Sequence, residues 1–154
     1  MTRRRRTAPR IRPVDVPGLC AVVVVAVAVE VGLRTTTLPR LAGLLGAPLA
    51  TDGFGTYVAP TEAVPLPRWA ARRVETSRRV LRHWPFGDTC LRQALVCGWL
   101  LRRLGPVLQL GVAKVEGDVR AHAWLVVGGS VIDPRRAVGS YQPLAAVRTR
   151  SAHE

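Results

Sequence analysis

Asp88-Thr89-Cys90-Leu91-Arg92-Gln93-Ala94-Leu95-Val96-Cys97-Gly98-Trp99-Leu100-Leu101-Arg102-Arg103-Leu104-Gly105 is the stretch on which the fold turns. Cys90, Ala94, Cys97, Leu101 and Leu104 recur at three- and four-residue steps, and Leu91, Leu95 and Leu100 widen the apolar arc past a single stripe. The segment therefore predicts one helix, buried on most of its circumference and placed centrally. Asp88 or Thr89 supplies the N-cap, Arg102 and Arg103 suit the negative end of the dipole, and Gly105-Pro106 provide the stop. A thiol in the first helical turn lies near unpaired backbone N–H groups and the positive end of the macrodipole, which favours the thiolate and makes Cys90 a candidate nucleophile. The plainer alternative is a small buried hydrophobe, the usual fate of a free cysteine.

Downstream of Pro106 the helical period gives way to alternation. Val107 to Val115, Val119 to Val127 and Ser130 to Pro134, separated by Glu116-Gly117-Asp118 and Gly128-Gly129, predict three antiparallel strands. In the middle strand Arg120, His122, Trp124 and Val126 share one face, and Val119, Ala121, Ala123, Leu125 and Val127 the other. A two-residue loop at Gly128-Gly129 pairs Val127 with Ser130, Val126 with Val131, Leu125 with Ile132 and Trp124 with Asp133. Asp133 then falls on the face of His122, as a diagonal neighbour about 5–8 Å away. A satisfied half-buried histidine and a turn-forming aspartate before Pro134 would each explain one residue. The register places both on one face, after a helix that begins with cysteine, and Cys90, His122 and Asp133 thus form a candidate nucleophile, base and orienter in chain order. Trp124 is a candidate shield for the pair.

Toward the N-terminus, Pro67 to Trp84 predicts a helix with Trp69, Val74, Val80 and Leu81 on an apolar side and Arg68, Arg72, Arg73, Arg78, Arg79 and Arg82 on a basic one. A basic face is ordinarily just solvated; contact with an acidic peptide is the functional alternative. Thr51 to Pro67 reads as a linker or surface loop. Thr35 to Ala50 carries a short amphipathic helix with Pro39 near its start. Gly18 to Val29 is an unbroken apolar run, interrupted by Glu30 and resumed at Val31. That run is shorter than the roughly 20 residues that span a bilayer. Three readings stay open for it: a retained core helix, an interfacial helix touching membrane, and a signal segment with Ala26-Val27-Ala28 as its cleavage pattern.

Thr2 to Pro13 holds Arg3 to Arg6, Arg10 and Arg12 with two prolines, and is expected to be disordered. The chain carries 23 basic against 10 acidic residues. All the basic residues but Lys114 are arginine, which a GC-rich genome explains as well as function does. No groove-reading motif or stacking platform accompanies the arm, so nucleic acid is not an expected partner. Three cysteines without framework spacing argue for a reducing compartment. Cys90 and Cys97 stand two helical turns apart and cannot bridge. Cys90, Cys97 and His122 lack a close-spaced ligand pair, so no metal is expected. There is also no phosphate-binding loop, and no cofactor is expected.

The segments Cys90 to Gly105, Leu110-Gly111-Val112, Ala121-His122-Ala123-Trp124 and Val131-Ile132-Asp133 resemble the transglutaminase-like cysteine peptidase of lasso-peptide biosynthesis, the B protein that removes the leader from the precursor. The tail Tyr141-Gln142-Pro143-Leu144 and the apolar N-terminal helix are similar too. Gln93 departs from the basic or small residue expected there. The resemblance implies an α+β fold of papain/transglutaminase type: N-terminal helices, a central helix led by the catalytic Cys90, and a small antiparallel sheet of three or four strands carrying His122 and Asp133. It divides the chain into a basic arm (1–16), an N-terminal helical region (17–84), a peptidase core (85–145) and a tail (146–154), and it favours the retained-helix reading of the apolar run. The implied substrate is a precursor peptide cut after its leader, and the implied partners are a separate leader-recognition protein and a lasso cyclase. The expected location is the cytoplasm, with peripheral membrane contact through 18–33 as an added possibility. Amine acylation on the same triad, and a non-catalytic basic adaptor, are the alternative functions.

Overall fold

Four helices precede an antiparallel sheet in the structure, a computed structural model that describes residues 16–50, 66–115, 118–133 and 141–143. The helices are α1 (Val16–Thr35), α2 (Leu38–Leu44), α3 (Arg68–Leu81) and α4 (Cys90–Leu100), and the strands are β1 (Val107–Val115), β2 (Asp118–Val127), β3 (Ser130–Ile132) and β4 (Gln142–Pro143). The sheet runs in the order β3-β2-β1-β4. This is the expected α+β architecture. The basic arm up to residue 15, most of the 51–67 loop, the 116–117 turn and the 146–154 tail lie outside the described residues.

α4 is the hub. It packs on α1, α3, β1 and β2, and every residue from Gln93 to Gly98 is buried. Thr89 is the N-cap: its backbone is extended (φ −93°, ψ 150°) and its side-chain oxygen accepts the Arg92 N–H. The helix is shorter than expected. After Leu100 the backbone tightens into a 3₁₀ turn, Arg102–Leu104, and the chain leaves through Gly105 at φ +60°, a left-handed conformation that suits glycine. Gly98 is a point of close approach between α4 and its surroundings, since a Cβ there would lie 2.6 Å from Ala47 Cβ and 3.8 Å from Leu125 Cδ2.

α1 corrects the length argument. Glu30 interrupts the apolar composition but not the helix, which runs for 20 residues. By length and composition its Pro17–Thr35 segment is long and apolar enough to cross a membrane. Val22, Val25, Ala26 and Val29 are buried against the protein, whereas Val24, Val27 and Val31 are 67%, 49% and 55% exposed. One side of α1 is thus core and the other an apolar surface.

Leu81, Val74 and Val80 of the expected apolar side of α3 pack on the core, and Trp69 alone departs from it. Ala70, Ser77 and Leu81 face the core, while Trp69 lies at the surface with the Arg73 guanidinium 5.1 Å from its ring centroid. Stacking under an arginine lets an aromatic remain at a wet surface. Arg73 also donates to the Leu100 carbonyl at 2.9 Å, tying α3 to the end of α4.

The β2–β3 hairpin has the anticipated register: Val127 pairs with Ser130, Val126 with Val131 and Leu125 with Ile132. Gly128 and Gly129 both have positive φ (53° and 80°), as a tight two-residue turn requires. Across the other edge of β2, Gln109 pairs with Trp124 and Gly111 with His122. The sheet therefore has two distinct faces. Leu108, Ala123, Leu125, Val127 and Ile132 join the helical core, and Gln109, His122 and Trp124 are buried on the opposite face.

Candidate active site

On that second face the environment is built around an imidazole. His122 is 3% exposed, and its Nε2 lies 3.0 Å from Asp133 Oδ1, whose side chain is 4% exposed. Asp133 directly follows β3, so the Gly128-Gly129 turn delivers the carboxylate to the histidine. The contact has the distance of an ion pair without the alignment of a straight hydrogen bond; such contacts commonly tighten when a substrate binds. The Tyr141 ring, just ahead of β4, sits 4.9 Å from the imidazole and Trp124 lies 5.9 Å away on its own strand. Trp124 donates its indole N–H to Gln109 Oε1 at 2.9 Å, so the burial of this large ring leaves no donor wasted. Asp133 faces Nε2, so Nδ1 is the ring nitrogen turned away from the carboxylate contact.

Cys90 occupies the first position of α4 and is partly exposed. The Thr89 cap satisfies the Arg92 N–H and leaves those of Cys90 and Leu91 without an intrahelical partner, the ordinary condition of a first helical turn. The structure brings His122 and Asp133 together; among the described residues no hydrogen bond or ion pair joins Cys90 to either. α4 packs against β2 over Leu125, on the face opposite that of His122.

Further polar groups shape the start of α4. Gln93 is buried, and its amide Nε2 donates to Asp88 Oδ1 while its Oε1 has no hydrogen-bond partner. Asp88 thus anchors the turn before the helix rather than capping it. Arg92 grips Glu30 of α1 with two nitrogens, Nε to Oε2 at 2.8 Å and NH2 to Oε1 at 3.3 Å, and its NH1 reaches Thr89 Oγ1 at 3.4 Å. Arg34 adds a 2.9 Å contact to Glu30 Oε1. The Arg92 hydrogen bond holds the Glu30 carboxyl below its ordinary range; burial opposes this, and the charges of Arg92 and Arg34 reinforce it. A lone acid within an apolar run was the one sequence signal for this cluster. Nothing in the sequence tied it to Arg92.

The remaining cysteines are set apart. Cys20 is exposed on α1. Cys97 is fully buried, and burial pushes its thiol up to about 11 although the Ser77 hydroxyl, 3.1 Å from its sulfur, pulls the other way. Ser77 also donates to the Val74 carbonyl at 2.8 Å, and burial keeps Cys97 a thiol.

No curated protein and no solved structure matches the chain. Residues 23–146 match the transglutaminase-like superfamily, a span that starts within α1 and includes Cys90, His122 and Asp133. By that match, together with its α+β architecture, the chain belongs to the transglutaminase-like superfamily, whose chemistry is that of cysteine proteases and acyltransferases.

Proposed function

We propose that the protein is a cysteine peptidase that removes the leader from a lasso-peptide precursor, with Cys90 as nucleophile, His122 as base and Asp133 as orienter. The observation that carries the reading is the buried His122–Asp133 pair on a hairpin, in a superfamily chain whose central helix opens with cysteine. The mechanism requires Cys90 Sγ to come within hydrogen-bond reach of His122 Nδ1. His122 takes the thiol proton and the thiolate attacks the scissile carbonyl. The tetrahedral oxyanion is met by the Cys90 backbone N–H. His122 then delivers the proton to the leaving amine, a thioester forms on Cys90, and water attacks it with His122 as base to free the leader and regenerate the thiol. Asp133 stabilises the imidazolium and fixes the ring.

Leader recognition belongs, in this reading, to a separate small protein, and the freed amine passes to a lasso cyclase. The test is reconstitution of the chain with a precursor peptide and a leader-binding protein encoded nearby. Leader release should be slow with the chain alone and rise when the partner is added below saturating substrate. Equal rates with and without it would remove the partner from the account. Transfer to an amine, the transglutaminase alternative, diverges only at the thioester: added primary amine would then appear in the product mass at the expense of hydrolysis.

The same proposal places the protein in the cytoplasm, with the exposed Val24, Val27 and Val31 of α1 resting on an anionic lipid surface. The arginine-rich segment that precedes α1 complements the charge of such a surface.

A further inference from the structure

The Arg92–Glu30 contact joins positions 62 residues apart, and it does so beside the candidate nucleophile. Glu30 has a side chain only 8% exposed in a largely apolar helix, and Arg92 one 20% exposed. A carboxylate in such a place is costly unless it is fully engaged, and here it meets two nitrogens of Arg92 and one of Arg34. Arg92 is also the residue whose backbone N–H is capped by Thr89 and whose NH1 touches the same hydroxyl. One side chain therefore connects the middle of α1, the N-cap of α4 and, through that cap, the residue next to it, Cys90.

We propose that Glu30 and Arg92 are positioning residues for Cys90: the two-pronged ion pair fixes the first turn of α4 against α1 and thereby holds the nucleophile in place. The proposal rests on Cys90 as the nucleophile, but not on the identity of the peptide it cuts. It makes α1 part of the catalytic apparatus. A helix clipped by this pair cannot depart, by cleavage or by insertion across a bilayer, without disordering the start of α4.

The three cysteines supply the experiment, because each reports on a different environment within one chain. Iodoacetamide labelling of the folded full chain is followed by mass spectrometry at each cysteine. Cys97 remains unlabelled as long as the core is intact, and exposed Cys20 serves as the rate standard. Glu30→Gln should slow labelling of Cys90 relative to Cys20 by about tenfold, the scale of one lost charge-assisted hydrogen bond, while Cys97 stays silent. Glu30→Asp, which keeps the charge, should recover most of the loss. In combination with Thr89→Ala the effect of Glu30→Gln should shrink, since both act through one cap. Labelling of Cys90 at the parent rate in Glu30→Gln, or full additivity with Thr89→Ala, would overturn the proposal. If Cys97 labels in Glu30→Gln, the variant has opened globally, and Arg92→Lys takes its place: it keeps the charge on Glu30 but loses the fork, and parent-rate Cys90 labelling there overturns the proposal equally. Because no peptide substrate is used, failure of the leader-peptidase reading leaves this result unaffected.

Discussion

Asp133 is the residue whose role is easiest to separate from the fold. It follows the last residue of β3 and has no place in the helical core, so its loss should spare the architecture while freeing the imidazole to turn. Asp133→Asn and Asp133→Ala are expected to lower single-turnover cleavage at least about tenfold, a barrier change of about 1.4 kcal/mol, with Ala the worse because it offers His122 neither charge nor hydrogen bond. Single-turnover rates and thermal melts of both variants decide the matter. A folded Asp133→Ala protein within about threefold of the parent, about 0.65 kcal/mol, would leave the carboxylate without a catalytic part. The pairing itself was legible in the sequence: Gly128-Gly129 permits a tight turn, a tight turn sets the register, and the register puts Asp133 on the His122 face. Thr89 was legible as one of two caps. Trp69 was not read correctly, because helical spacing cannot show that an arginine one turn away will shelter an aromatic at the surface.

Among the elements, α1 and α4 carry the longest-range information, and the sequence conveys least about their contact. Periodicity finds each helix but is blind to which residue of one meets which residue of the other. Length counting failed for α1 because Glu30, taken as a break in the apolar run, is neutralised from outside the helix by Arg92 and from within it by Arg34. That neutralisation has a pH signature. The folded-state carboxyl of Glu30 titrates below its ordinary 4.5. Its contribution to stability is therefore fully present above 4.5 and is lost as pH falls through the lower, folded value. Glu30→Gln lacks the contribution at every pH. Its melting temperature should be below the parent's at neutral pH, with the gap closing as the pH is taken below 4.5 and through the lowered folded value. A gap of constant width across that range would mean that the Glu30 charge is not what stabilises the helix pair.

For the molecule as a whole, two surfaces with different partners are proposed. In that proposal the peptide meets the site formed by Cys90, His122 and Asp133, and the lipid meets the valine stripe exposed on α1. Co-sedimentation with vesicles should show binding to anionic but not to neutral bilayers, weakened by salt because the arginine segment contributes. Replacing Val24, Val27 and Val31 with Ser or Asn should reduce it, and triple-variant binding equal to the parent's would assign the contact to charge alone. The location of these surfaces follows from packing: α1 spends one side on α3 and α4, and the other side, equally apolar, is left outside.

The claim on which the rest depends is that the cysteine at the start of the central helix does the chemistry. Its most direct test is single-turnover cleavage of a leader-bearing precursor, with the recognition partner present, by the parent and by Cys90→Ala, Cys97→Ala and Cys20→Ala. Cys97 is fully buried as a thiol bonded to Ser77, and Cys20 is exposed on the far side of α1 from its buried residues. Cys90→Ala should abolish leader release, and the other two should retain most of it. Normal cleavage by Cys90→Ala, or loss confined to Cys97→Ala, would contradict it.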